Sequence, residues 1–443
     1  MPSGPWIVRA TGGWKGVGLA MLAVAAASAA ARGDDWPQWR GPQRDGVWRE
    51  TGIVATLPPG QLPIRWRAEV GSGYCGPTVA GGRVYVMDRV AQPESTERIH
   101  CFDAASGQKL WSHAYACPYG EIGYPAGPRA AVTIAQGRAF ALGATGRLHV
   151  LDAATAQVRW QRDLAADYAI QMPIWGIAAA PLVHEGRVIL HIGGKDACVV
   201  ALRVEDGREA WRALSDRAQY SAPIVVEQAG RQVVVCWTGD SVAGLAPEDG
   251  SVLWRYVWTP RNMPIGIATP VREGDRLFFT SFYDGSLMLR LLADRPEVEK
   301  VWQIAGRDEK NTLALHSIIS TPVLDRGFIY GVDSYGELRC LDAATGQRLW
   351  EDQRAVPRER WSTIHFVKHQ DRYVLFNERG ELIFARLAPQ GYQELSRARL
   401  IEPTKDQLPS RRGGVCWAHP AFADRHVFAR NDQELVCASL AAP

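Results

Sequence analysis

Glycine-rich turns, histidine pairs and cysteine clusters are the places where this chain could carry chemistry. GSGYCG, from Gly71, fits G-x-G-x-x-G. That pattern cradles a dinucleotide only when a helix follows, because the helix N-terminus holds the pyrophosphate. Here Pro77 follows, then Gly81-Gly82 and another strand-like run, so the glycines read as a tight entry into a strand. His365 and His369 are four apart, which suits a shared metal on a helix. On a strand they would stand roughly 13 Å apart, and they read as surface or loop histidines. H-E-x-x-H and G-x-S-x-G are absent, and GGKD at Gly193 lacks the Ser or Thr of a phosphate loop. Cys75, Cys101, Cys117, Cys198, Cys236, Cys340, Cys416 and Cys437 include no adjacent pair and no C-x-x-C. A zinc ribbon, a thioredoxin motif and a haem c attachment site are thereby excluded. No catalytic residue and no metal ligand is assigned. What remains is a set of aromatic and basic side chains, Tyr74, Arg129, Trp175, Tyr220, His316, His365 and Trp417. They could bind something only if the fold gathered them.

The fold has to be read from a repeat. CFDAASGQKLW from Cys101, VLDAATAQVRW from Val150 and CLDAATGQRLW from Cys340 are one pattern written three times. Its closing residue recurs as Trp66, Trp111, Trp160, Trp211, Trp254, Trp302 and Trp350, with Leu395 expected in the same role. A second marker, Pro77, Pro181, Pro223, Pro270, Pro322 and Pro420, precedes the first strand of each unit, with Val132 at the equivalent place in the second unit. Between markers lie short apolar or alternating runs opened by turn residues, such as GRVYVMD at Gly82 and GRVILHI at Gly186. Helical periodicity is not sustained anywhere after residue 33. Four short strands in each unit of 40–50 residues describe an all-β propeller of antiparallel four-stranded blades. One blade cannot bury both faces, so the units must close into a ring. The strand IRWRAEV at Ile64 precedes every inner three-strand set, and the set from Pro420 lacks an outer strand after it. Together they complete one blade. Eight blades are expected over 64–440, closed by the N-terminal outer strand. In such a ring the seven aromatic and basic residues would converge on one mouth of the channel. There they would either bind a ligand or pack against one another.

Residues 1–33 carry Arg9, Lys15 and Arg32, no acidic residue, and the apolar run GVGLAMLAVAAASAAA. That run is too short to span a bilayer and fits a cleaved secretory signal. An exported protein of the periplasm or cell surface is expected. No Cys precedes Cys75, so a lipoprotein is not. Without 1–33 the formal net charge falls from +3 to 0. A neutral surface argues against nucleic acid as a partner. The mature chain is expected to lack a transmembrane segment and to be a monomer. Segment 34–63, with Trp36, Trp39 and Arg40, is read as an ordered strap across the ring or as a docking element for a partner.

Asp-x-x-Thr-Gly-x-x-x-Trp resembles the tryptophan-docking motif of the PQQ-like, quinoprotein-type propellers. These include the PQQ-dependent alcohol dehydrogenases and the BamB-like envelope proteins. The match is strong at Asp103–Trp111 and Asp342–Trp350, good at Asp152–Trp160 with Ala156 for Gly, partial at Trp211 and Trp254, and weak at Trp302. DWPQWRGPQRDG from Asp35, GYCGP and EGRVILHIGGKDACVVAL look like the secreted planctomycete-type members. The resemblance implies an eight-bladed propeller whose seven tryptophans dock neighbouring blades. It also implies a binding or scaffold role toward an envelope protein, while a carbohydrate- or polymer-binding propeller is an alternative equally compatible with the aromatic loops. The dehydrogenase branch would add PQQ with calcium or a lanthanide, held by acidic and amide ligands beside adjacent cysteines. Adjacent cysteines are absent here, so no cofactor is expected, and a PQQ-dependent oxidoreductase is the alternative.

Overall fold

The structure is a computed structural model that describes Met1, Gly4 and residues 34–443. The signal segment expected over 1–33 lies outside the described residues. Eight four-stranded antiparallel sheets stand in chain order around a ring. The first seven blades each use four consecutive strands, and the eighth joins Ala421–Ala423, His426–Arg430 and Glu434–Ser439 to Ile64–Glu69. Trp66 faces Cys437 across this closing pair. The innermost strands of blades 1 and 2, 2 and 3, 5 and 6, and 1 and 8 touch. Among the described residues the one α-helix is Leu164–Tyr168. None of the described helices is long and apolar enough to cross a membrane.

The repeated motif has a physical reason at each letter. The Asp103 carboxylate accepts the N–H groups of Ala105 and Ser106, and Asp152 and Asp342 do the same for their own turns. Side-chain capping of this kind fixes a tight turn. The outer strand of every blade then carries a bulge one residue before the motif tryptophan, as at Cys101/Phe102 and Cys340/Leu341. A bulge re-aims the side chain that follows it. Here the tryptophan turns toward the next blade in the ring. Trp66, Trp111, Trp160, Trp211, Trp302 and Trp350 each donate the indole N–H to a backbone carbonyl of that blade's turn, at Ala104, Ala153, Val204, Pro247, Ala343 and Ala388. In four of the receiving turns a glycine at positive φ, Gly107, Gly207, Gly250 or Gly346, lies beneath the ring. A Cβ on Gly250 would come within 2.5 Å of Trp211. Trp254 is the exception. Its N–H goes to Gln228 Oε1, and the Gln228 amide donates to the Glu297 carbonyl of that neighbouring blade.

In blade 7 the register corrects the sequence reading. Phe384 faces Ser396 and Ala385 faces Glu394, so Leu395 is the bulged residue and Ser396 holds the tryptophan position. The Ser396 hydroxyl accepts the N–H of Leu57, so the 34–63 segment occupies the space an indole would fill.

That segment is an ordered strap. Trp36 pairs with Val79 of blade 1 through two 2.8 Å backbone bonds, and Pro37 accepts the N–H of Ile134 in blade 2. Arg44 donates to the carbonyls of Ala180 and Pro181 before blade 3. Trp48 pairs with Lys368 of blade 7, and Val54 with Leu440 after blade 8. Trp36 and Trp48 are 2% and 1% exposed. All eight cysteines are free and buried.

Candidate functional site

Each blade enters its innermost strand from the same face of the ring, in extended chain whose alternate residues point one way. Three residues before the marker stand Tyr74, Arg129, Ala178, Tyr220, Ile267, Ile319 and Trp417, and all seven line one cavity. One residue before the marker stand Ala131, Ala180, Ala222, Thr269 and His419, which line it as well. In blade 7 the hairpin register places Phe366 at the marker and His365 one before it, also in the wall. The cavity has a volume of about 150 Å³ and opens to solvent. Trp39 closes it from the strap side. Its indole N–H donates to Thr269 Oγ1 at 2.7 Å, and its ring meets His419 edge-on at 4.6 Å.

Longer loops complete the wall with Tyr124, Trp175 and Trp361. The Tyr124 ring centre is 6.0 Å from Trp175, 5.8 Å from Trp361 and 6.4 Å from Trp417, all edge-to-face. Tyr124 sits at φ +53°, a conformation a bulky residue adopts only where its surroundings impose it. Trp175 packs on Tyr220 at 5.2 Å. The Tyr74 hydroxyl donates to the backbone carbonyl of Gln407, and the Gln407 side-chain oxygen accepts the backbone N–H of Trp417.

Charge in the cavity comes from one side chain. Arg129 Nη1 donates to the Gly127 carbonyl, and Nη2 donates to those of Gly123 and Tyr124. The guanidinium lies 5.0 Å from the Tyr74 ring centre, within cation–π range. Burial lowers its pKa, and the nearby tyrosines and Glu97 oppose that. Arginine stays charged through such shifts. The two histidines are neutral at pH 7. Burial pushes His365 down to about 4 and His419 to about 3. His365 Nε2 lies 2.8 Å from the Trp417 carbonyl and so carries the proton, leaving Nδ1 as an acceptor.

Six of the seven residues singled out in the sequence line this cavity, namely Tyr74, Arg129, Trp175, Tyr220, His365 and Trp417. His316 does not. It is fully buried, its Nδ1 donating to the Phe282 carbonyl and its Nε2 accepting the Gly306 N–H. It ties two loops together instead of facing the channel. His365 and His369 are corrected too. Both lie in the strand Ile364–His369, at 8% and 1% exposure, and not at the surface. His369 Nδ1 donates to the Trp48 carbonyl of the strap. Sequence reasoning missed Tyr124, Trp361 and His419, and it did not bring Trp39 to the cavity. His419 was findable, since it directly precedes the marker Pro420. Tyr124 and Trp361 lie in loops whose lengths differ from blade to blade and carry no register.

Aromatic and aliphatic groups dominate this lining, and it includes no carboxylate and no amide side chain. Among the described residues no group of three or more His, Cys, Asp or Glu is placed to hold a metal. Calcium and similar hard cations take carboxylate and carbonyl oxygens, so the residues present do not fit a metal-bound quinone. The arrangement can enclose a flat apolar group and present one cation to it.

Over 204 residues the chain is 25% identical to the outer membrane protein assembly factor BamB of Yersinia pestis. That match covers 44% of this chain and about half, 47%, of the relative's length. The crystal structure of BamB from Moraxella catarrhalis superposes with a TM-score of 0.57 at 15% identity, covering 85% of this chain and 99% of that one. The quinohemoprotein alcohol dehydrogenase of Comamonas testosteroni superposes at 0.65 and 13% identity, over 94% and 82% of the two chains. These structural likenesses show the shared propeller fold. The family model described as outer membrane protein assembly factor BamB matches residues 95–352, more than half of the chain, and the protein belongs to that family.

Proposed function

We propose that this protein is an exported, non-catalytic propeller that works as a binding or scaffold module in the cell envelope. The observation that carries this reading is the make-up of the channel mouth. Loops from around the ring build one aromatic-walled cavity that lacks the carboxylates a general acid–base pair or a hard metal would need. Concave, mostly apolar sites with a few polar groups are where proteins take ligands. The N-terminal charge pattern supports export, and the name of the relatives places them at the outer membrane. Around the mouth the loops expose Ile174, Met263 and Leu313, large apolar side chains that suit contact with a partner. The dehydrogenase reading draws on the fold alone.

A photo-cross-linking amino acid at Ile174 tests the proposal in cells. A discrete adduct with an envelope component, missing when the same group replaces Val257 on an outer strand, is expected. Equal labelling from both positions contradicts it.

A further inference from the structure

We infer that the channel-mouth cavity is a specific site for a single-ring aromatic carboxylate, with the ring among the aromatic walls and the carboxylate on Arg129. The inference rests on reading the cavity as a binding site and names what it binds.

Size sets the first limit. The cavity is about 150 Å³, and a protein cavity of roughly that volume lined by apolar side chains accommodates benzene. One six-membered ring fits within it. The walls set the second limit. Tyr124, Trp175, Trp361 and Trp417 present ring edges and faces with centres about 6 Å apart. Aromatic groups prefer such offset and edge-on neighbours.

Polar capacity sets the third limit. A sugar of the same size carries four or five hydroxyls, and each needs a partner once it leaves water. Two hydroxyls of the lining are engaged: Tyr74 donates to the Gln407 carbonyl, and Thr269 Oγ1 accepts from Trp39. Trp361 Nε1, Trp417 Nε1 and His419 Nε2 are buried without a hydrogen-bond partner, and all three are neutral. The charged donor of the lining is Arg129. Three of its five N–H donors reach backbone carbonyls, leaving Nε–H and the second Nη1–H without an acceptor among the described residues. Arg129 also has no carboxylate within ion-pair distance among them, whereas arginines close by do: Arg360 reaches Glu309, and Arg411 reaches Glu359 and Glu378. A half-buried guanidinium with two spare donors and no counter-ion calls for an anion, and carboxylate oxygens match that fork. The neutral His365 and His419 leave Arg129 as the cavity's single positive charge at pH 7.

The test compares benzoate with benzyl alcohol, which has the same ring and no charge, by calorimetry and tryptophan fluorescence on the full chain. Benzoate should bind at least ~10-fold more tightly, the effect of one charge-assisted bond. Arg129→Gln should remove that preference and leave benzyl alcohol binding in place. Ala222→Leu, which fills the cavity and leaves Arg129 untouched, should abolish binding of both. Circular dichroism checks that both variants fold. Equal affinity of wild type for the two probes overturns the inference, as does no benzoate binding up to ~10 mM or binding that survives Ala222→Leu. If benzoate fails while cross-linking at Ile174 still finds a discrete envelope partner, the ligand assignment falls and the binding-module reading stands. If benzoate binds and dye-linked oxidation with PQQ and calcium also proceeds, the non-catalytic reading falls and the ligand assignment stands.

Discussion

Gly250→Ala tests why the repeat keeps a glycine four residues before its tryptophan. Two costs are separable. Gly250 has φ +75°, where any residue with a Cβ costs about 1–2 kcal/mol. Its Cβ would also lie 2.5 Å from Trp211 Cε3 and 2.7 Å from Cδ2, well inside carbon–carbon contact. Forcing such an overlap adds ~1–3 kcal/mol. Alanine's smaller unfolded-state entropy returns about 0.4–1 kcal/mol. The net loss should be roughly 1–4.5 kcal/mol. Gly230→Ala in the same blade is the control, with φ +71° and nothing within 4 Å of the added carbon. It should lose only ~1 kcal/mol. The natural exception points the same way. Ala156 stands at φ +63° where other turns have glycine, and the Trp111 bond there is 3.2 Å against 2.8–2.9 Å for the five others of its kind. Ala156→Gly should therefore stabilise by about 1 kcal/mol. Urea unfolding followed by tryptophan fluorescence reads all three. Equal losses for Gly250→Ala and Gly230→Ala would show that the indole contact contributes nothing, and the account of blade docking would be wrong.

Three further outcomes follow from burial. His191, His365 and His419 have folded pKa values pushed by burial to about 4, about 4 and about 3. The unfolded chain then binds more protons below pH 6.5, so stability should fall as pH drops from 6.5 toward 4, by at most ~1.4 kcal/mol per pH unit for each group. Glu378 and Asp432, raised by burial, act in the opposite direction; stability that is flat between pH 7 and 5 would contradict neutral buried imidazoles. Trp36→Ala should cost ~3–5 kcal/mol because the ring is fully packed against blade 8, and a loss below 1 kcal/mol would mean the strap does not brace the ring. Burial pushes the Cys75 thiol up to about 11 and Cys236 to about 12, so no thiol should react with Ellman's reagent at pH 8 until urea unfolds the chain.

Much of the architecture was legible because a propeller writes its rules into spacing. The outer strand ahead of Pro77 and the missing outer strand after Pro420 already dictated how the ring closes. The tryptophans were legible as markers, although their partners were not. That Trp254 works through Gln228 depends on a side chain 26 residues away in sequence. Leu395 was misread because a bulge moves register by one residue without changing composition, and only pairing reveals it. In the site, Tyr74, Arg129, Tyr220 and Trp417 were visible since each stands three residues before its marker. His316 shares that entry region but six residues before Pro322, beyond the extended run, and it turned inward. The strap's role was half legible: Trp36 and Trp39 signalled packing, yet nothing local shows that Trp39 passes across the channel to Thr269.

The most direct test of the account is a titration of the purified mature protein with PQQ, with and without calcium or a lanthanide. Tryptophan fluorescence reports binding, and dye-linked oxidation of alcohols and aldoses reports turnover. The account expects no metal-dependent binding and no turnover, because the cavity lining offers a hard metal no carboxylate. Tight metal-dependent binding with turnover would contradict it and make the channel mouth an active site.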